Sequence, residues 1–379
     1  MARDLRGRLR KEGVLYPGRQ TNHIRPAGWL VGLPVPFTPD PGPRREWWES
    51  VRDEIEGAGD KRVLFSDERI CWADIDGARR VVEGLGQPAH GVLVVRNLAS
   101  YSPSVWQQNL KGGALESLDE HLREVFSKPD LSKMSPPFHR RDGRGLVERW
   151  TEVLGPENLT VIVLEKEHPD RLLSTFEQML GLPETMLTGA SAAKGSNRGL
   201  STTEAALLMA LNRRVLEEWR ASRNQQRDLI FRGAAARLVG ARKPGPDEER
   251  VGMPQWAVEA AAEAGGKFAE SIRAAGVRVI GDLGELTRMG PSSEKDPTVL
   301  PEMIPSDIAL EALSGMFAAA SGWNWKHTKR WPPRPASAKK RPQPPADPET
   351  VLQTVPTKTL ASVLARRVAQ RAQRVVGRR

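Results

Sequence analysis

Residues 90–106, HGVLVVRNLASYSPSVW, decide the fold. A short apolar run, Gly91 to Val95, stops at Arg96 and opens through Asn97, Ser100, Ser102, Pro103 and Ser104 into an amphipathic segment. An apolar run of this length bounded by polar turn formers reads as a buried strand of a parallel sheet, with a crossover helix behind it. Open α/β sheets bind ligands outside the carboxyl ends of their strands. Arg96 stands at that end, and its planar guanidinium can grip two phosphate oxygens at once. Ser104, eight residues on, is expected in the first turn of the helix, where free N–H groups and the helix dipole also favour an anion. An Arg paired with a carboxylate and a Ser acting as a helix cap would leave the same letters.

The same rhythm repeats on either side. GVLYPG (13–18), KRVLFS (61–66), LTVIVLE (159–165) and VRVIGDL (277–283) read as strands. Helical spacing marks residues 2–12, 47–55, 118–126, 145–155 and 171–183, and an amphipathic run opens after Ser66 with two acids at its entrance. Pro-rich or mixed polar stretches at 33–46 and 127–144 read as loops. Strands alternating with helices predict an α/β fold with a mostly parallel sheet covered on both faces. After Pro183 the texture turns helical, at 201–239, 254–276 and 306–321. The expected division is an α/β domain over 1–200, a mainly helical part over 201–325 packed on it, a Pro- and Lys-rich linker over 326–349 and a basic amphipathic helix over 350–379.

Charge is unevenly placed. The chain of 379 residues carries a net +10, but the segment from Lys326 onward holds fourteen Lys and Arg against Asp347 and Glu349. That surplus of twelve leaves residues 1–325 near neutral, at −2. Cys71 is the one cysteine, so an intramolecular disulfide and a cysteine-rich metal site are ruled out. The six histidines do not fall at ligand spacing on one helix face, so no metal is expected. His23, alone in a polar stretch, is expected at the surface. The sequence has no apolar run long enough to span a bilayer and no export leader, which gives a cytoplasmic expectation. Leu360, Val363, Leu364 and Val368 share one side of the last segment, with Arg366, Arg367, Arg371 and Arg374 on others. Such a helix suits an anionic membrane surface; nucleic acid is the weaker expectation, because no aromatic follows Trp331 to stack on bases.

Taken together, these segments resemble the sulfotransferases that use 3′-phosphoadenosine 5′-phosphosulfate (PAPS), and a bacterial, especially actinobacterial, branch of them. VLVVRNLASYSPSVWQ is similar to the family's 3′-phosphate-binding strand, loop and helix, and LTVIVLEKEHPDRLLSTFEQMLGLP to its later strand, acidic turn and helix. GVLYPG, VLFSDE, WQQNLKGG, GLVERWTEVLGPENL and GVRVIGDL add to the likeness, which spans roughly residues 8–325. The resemblance implies a P-loop-NTPase-like three-layer fold, PAPS or its product PAP as co-substrate, and a hydroxyl or amine acceptor on a glycan, lipid or small molecule. It implies that Arg96 and Ser104 hold the 3′-phosphate, with Arg198 and Lys111 as further candidate cations. The acceptor's base would follow the strand VLFS, at Glu68, with Asp67 a lesser candidate. One departure matters. The family opens with a strand and a Pro-Lys-Thr-Gly-Thr-Thr type loop that cradles the 5′-phosphosulfate, and residues 1–379 contain no such loop. The expectation is therefore either an enzyme whose true start lies upstream or a non-catalytic nucleotide- or partner-binding module.

Overall fold

A computed structural model describes residues 2–35, 42–86, 88–127, 140–192, 198–246, 248–290, 292–293 and 301–322. The linker expected at 326–349, the basic helix expected at 350–379 and most of the loop expected at 127–144 lie outside the described residues.

Leu5 and Leu9, four residues apart, bury one side of helix α1 (Ala2–Lys11), and Gly13 at φ 73° turns the chain into strand β1 (Val14–Leu15). Helix α2 (Ile24–Val31) occupies a stretch in which the sequence suggested no element. It ends on Gly32, whose left-handed backbone at φ 70° returns its N–H to the Gly28 and Trp29 carbonyls. Helix α3 (Arg45–Glu56) turns Trp48, Val51 and Ile55 inward and leads to β2 (Arg62–Val63), which pairs with β1 in parallel. Helix α4 (Ile75–Leu85) is capped by Asp74, which accepts the Gly77 N–H at 2.7 Å. Strand β3 (Gly91–Val95) follows, then α5 (Leu98–Lys111), α6 (Leu118–Ser127), α7 (Leu146–Leu154) and β4 (Leu159–Val163). Helices α8 (Arg171–Met179), α9 (Thr188–Ala192), α10 (Thr202–Arg213), α11 (Arg223–Gln226), α12 (Ala236–Ala241) and α13 (Gln255–Ala274) precede β5 (Arg278–Ile280), and α14 (Ser306–Ala320) follows it.

Strands β3, β4 and β5 form a second parallel sheet in that order, with Val95 opposite Val163 and Ile162 opposite Ile280. All five residues of β4 are buried, so this strand is covered on both faces. The protein is thus α/β, as the alternation predicted. The strands do not make one sheet, however: β1 and β2 stand apart as a pair. KRVLFS pairs in regular register only over Arg62–Val63, with bonds from the Arg62 N–H to the Gly13 carbonyl at 3.0 Å and from the Leu64 N–H to the Leu15 carbonyl at 2.8 Å.

Two apolar clusters draw on residues from both sides of position 200, so the helical part and the α/β part share their cores. One cluster gathers Leu30, Trp48, Val81, Val95, Val161, Val163 and Trp150 with Phe268, Ile272 and Leu286. A second joins Leu98, Trp106 and Leu110 of α5 to Leu208, Ile230, Ala257 and Ile308. The stretch 201–239 is helical as expected, in several pieces. After α10 the chain makes π-helical turns at Arg214–Glu218 and Arg227–Ala235. Between them Arg220 takes φ 50°, and Ser222 and Gln225 form a capping box that restarts the chain. The cap competes locally with helix continuation. It also delivers Gln226, wholly buried, whose amide donates to Asn212 Oδ1 at 3.0 Å and to the Lys111 carbonyl at 3.2 Å. Among the described residues no helix is long and apolar enough to cross a membrane.

Candidate anion-binding site

The site begins where β3 ends. Val95 is buried and carries the last ladder position; Arg96 follows, half-buried, with its guanidinium carbon 5.1 Å from the centre of the Tyr101 ring. Asn97 fixes the turn. Its carbonyl oxygen caps α5 by accepting the Ala99 N–H at 2.8 Å. Its amide donates to the Glu285 and Arg288 carbonyls, both at 2.7 Å, which ties the end of β3 to the segment after β5. Among the described residues no carboxylate lies within ion-pair distance of Arg96. Burial lowers its pKa, and the neighbouring Tyr101 and Glu68 oppose that shift.

Glu68 acts on Arg96 through its charge, without contacting it. It opens the 3-10 turn Glu68–Trp72, just past β2, and its side chain is exposed. Asp67 is otherwise engaged. It caps that turn by accepting the Arg69 N–H at 3.0 Å, and burial raises its pKa above the ordinary carboxylate value. Cys71, in the same turn, is held as a thiol by burial, which pushes its pKa up to about 11.

His23 departs from the surface position expected of it: it is 2% exposed. Its Nδ1 accepts the Ser66 N–H at 2.9 Å, so Nε2 carries the proton and donates to the Pro17 carbonyl at 3.0 Å. The ring stacks on Phe65 at 4.5 Å and meets Tyr16 at 4.4 Å. Both nitrogens are spent on backbone, so His23 holds the end of β2 in place and does not face a ligand.

The remaining predicted residues are not all brought together. Helix α5 starts at Leu98, so Ser104 lies in its second turn, where the backbone N–H groups are already bonded; its exposed hydroxyl donates to the Ser100 carbonyl at 3.0 Å. Ser100, in the first turn, bonds the Asn97 carbonyl at 2.9 Å. Lys111 closes the other end of α5, about 20 Å from its start by helical rise. Burial lowers the Lys111 pKa, but its backbone is remote from Arg96. Arg198 is fully committed: it grips buried Glu204 with two bonds of 2.7 Å and donates to the Leu238, Arg242 and Gly199 carbonyls. It is a structural cation with no donor left for a phosphate.

Two residues that sequence reasoning passed over, Asn97 and Tyr101, shape the site. Asn97 carried a signal, an Asn directly before a helical run, which is a preferred cap. The arrangement as a whole is a cation without a carboxylate partner at the carboxyl end of a parallel strand, flanked by an aromatic face and an exposed carboxylate. It can bind an oxyanion, and the carboxylate can take a proton from a nearby hydroxyl or amine. No group of side chains among the described residues is arranged to hold a metal ion. No family model, curated protein or solved structure matches the chain.

Proposed function

We propose that this chain is a sulfotransferase-like protein that binds PAPS with its 3′-phosphate on Arg96 and directs its sulfuryl group to a hydroxyl or amine. The observation that carries the reading is the half-buried Arg96 guanidinium at the end of β3, with no carboxylate paired to it among the described residues. A cation withdrawn from water without a partner is a cost to the fold that a bound phosphate would offset. Glu68, within range of Arg96, is the candidate base. The parallel order β3-β4-β5 with β4 covered on both faces supports a P-loop-NTPase-like three-layer arrangement. In such a reaction the acceptor attacks sulfur in line with the departing phosphate, and positioning supplies most of the rate.

A second reading, a non-catalytic module that binds the nucleotide, is favoured by a specific feature. Residues 1–379 contain no Lys-Thr-Gly-Thr-Thr type loop to hold the 5′-phosphosulfate. Calorimetric titration with PAP tests what both readings share. Wild type is expected to bind and Arg96→Ala to weaken binding tenfold or more, about 1.4 kcal/mol. Absence of binding by folded wild type overturns both readings. Binding without sulfuryl transfer from PAPS to model hydroxyl and amine acceptors selects the module.

A further inference from the structure

Helix α14 has two apolar sides. Ile308, Ala312, Gly315 and Ala318 are buried, and the helix packs on the π-helical stretch Arg227–Ala235, where Gly233 and Gly315 bring the two backbones together. On the other side Leu310 and Leu313, three residues apart, are 39% and 47% exposed, and Met303 just ahead of the helix is 85% exposed. In fifteen residues α14 carries two charges, Asp307 and Glu311. A helix apolar on both sides belongs between two layers, and the described residues cover only one side of Leu310 and Leu313.

We infer that the other layer is this chain's own segment 359–376, folded back as a helix against the Leu310–Leu313 side of α14. Three features of the chain point to that occupant. The segment repeats apolar residues at helical spacing, Leu360, Leu364, Val368 and Val375, with Val363 beside them. From Thr359 to the end it holds six Arg and no acid, whereas α14 holds two acids and no base; Glu311 is paired with Arg237, and the Asp307 side chain is still 66% exposed beside Arg242. Reach is sufficient: some 36 residues separate Gly322 from Thr359, a root-mean-square span of ~30–35 Å if flexible and more if Pro-stiffened, against ~22 Å for the length of α14. A tether of that length holds the segment at an effective concentration near the millimolar range, so a modest apolar contact suffices for docking. The inference is independent of the nucleotide reading.

The test places the photoreactive residue p-benzoylphenylalanine at position 313 of the full chain and maps the crosslinks by mass spectrometry. The expected product is a monomer joined to a peptide within 359–376, with its yield lowered about tenfold by Leu364→Asp with Val368→Asp. Leu313 is 47% exposed, and an unchanged melting temperature verifies that the variants keep the body intact. Crosslinks between two copies that grow with protein concentration would overturn the inference in favour of a dimer. Crosslinks only to lipid in phosphatidylglycerol vesicles would assign the face to a membrane, and no crosslink at all would also sink the proposal.

Discussion

The imidazole of His23 accepts the backbone N–H of Ser66 at 2.9 Å across a separation of 43 residues, and this bond fixes the loop from which Glu68 projects. It requires a neutral ring, because a protonated Nδ1 would oppose the Ser66 N–H. Burial lowers the His23 pKa below its ordinary 6.5, the strongest influence on it, with the Pro17 and Ser66 carbonyls acting in the other direction. The unfolded chain therefore takes up this proton before the folded one does. Stability from the neutral ring is complete above about pH 6.5 and declines as pH falls toward the folded pKa. Thermal melts between pH 8 and about 5.5 should show a midpoint that drops on acidification. In His23→Gln, which keeps an acceptor but no titrating proton, that part of the slope should vanish.

Arg96 should behave as a residue kept for binding. It has no carboxylate within ion-pair distance among the described residues, so its removal leaves no buried charge behind. Arg96→Gln is expected to leave unfolding free energy unchanged or raise it by up to about 1 kcal/mol in urea titration. A loss of about 2 kcal/mol or more would mean that Arg96 is structural, and the ligand reading would lose its main support.

Arg198 should show the opposite pattern. Its partner Glu204 has a fully buried side chain and is also contacted by Arg242 at 3.2 Å. Arg242 further holds Glu248, whose carboxyl is drawn down to about 2, chiefly by that bond. Arg198→Met would leave the Glu204 charge partly uncompensated, at a cost of about 3 kcal/mol. Nucleotide affinity of the folded fraction should be unaltered, measured by calorimetry at a temperature well below the melt.

Gly265, within α13, lies against the backbone of the 3-10 turn Leu283–Thr287. A methyl group at this position would run into the Leu286 carbonyl oxygen, a backbone atom that a rotamer change cannot move. Gly265→Ala should cost roughly 1–3 kcal/mol although alanine is the better helix former. Gly276→Ala offers a contrast. It has open space but a backbone at φ 64°, so its cost is the smaller one of a left-handed residue, about 1 kcal/mol.

Much of the fold was legible because its signals are local. The apolar runs at 91–95 and 159–163 are strands where their patterning placed them, but only the second is buried throughout. Strand β3 lies at the edge of its sheet, with Val95 buried and Val94 exposed. Helices α13 and α14 begin and end within two residues of expectation. Helix α2 was not legible: Pro26 and Gly28 sit inside it, and both residues ordinarily argue against a helix. Pro26 is tolerated in the first turn, where its missing N–H had no partner to lose. Gly28 is accepted because a side chain there would press on Val35 and the Leu33 carbonyl.

The site divides along the same line. By itself the sequence determined that an arginine ends β3 and that an acidic turn follows β2, because a strand's end is written in the few residues around it. Only the tertiary structure decided which cations are committed. Arg198 is consumed by Glu204 and by carbonyls 40 and 44 residues away, whereas Arg96 is held by an aromatic ring and has no carboxylate partner among the described residues. Asn97 reaches further, binding the Glu285 and Arg288 carbonyls 188 and 191 residues on. A side chain's chemistry depends on what faces it, and the partners that face Arg96 and Asn97 are brought there by packing between segments that share no local pattern.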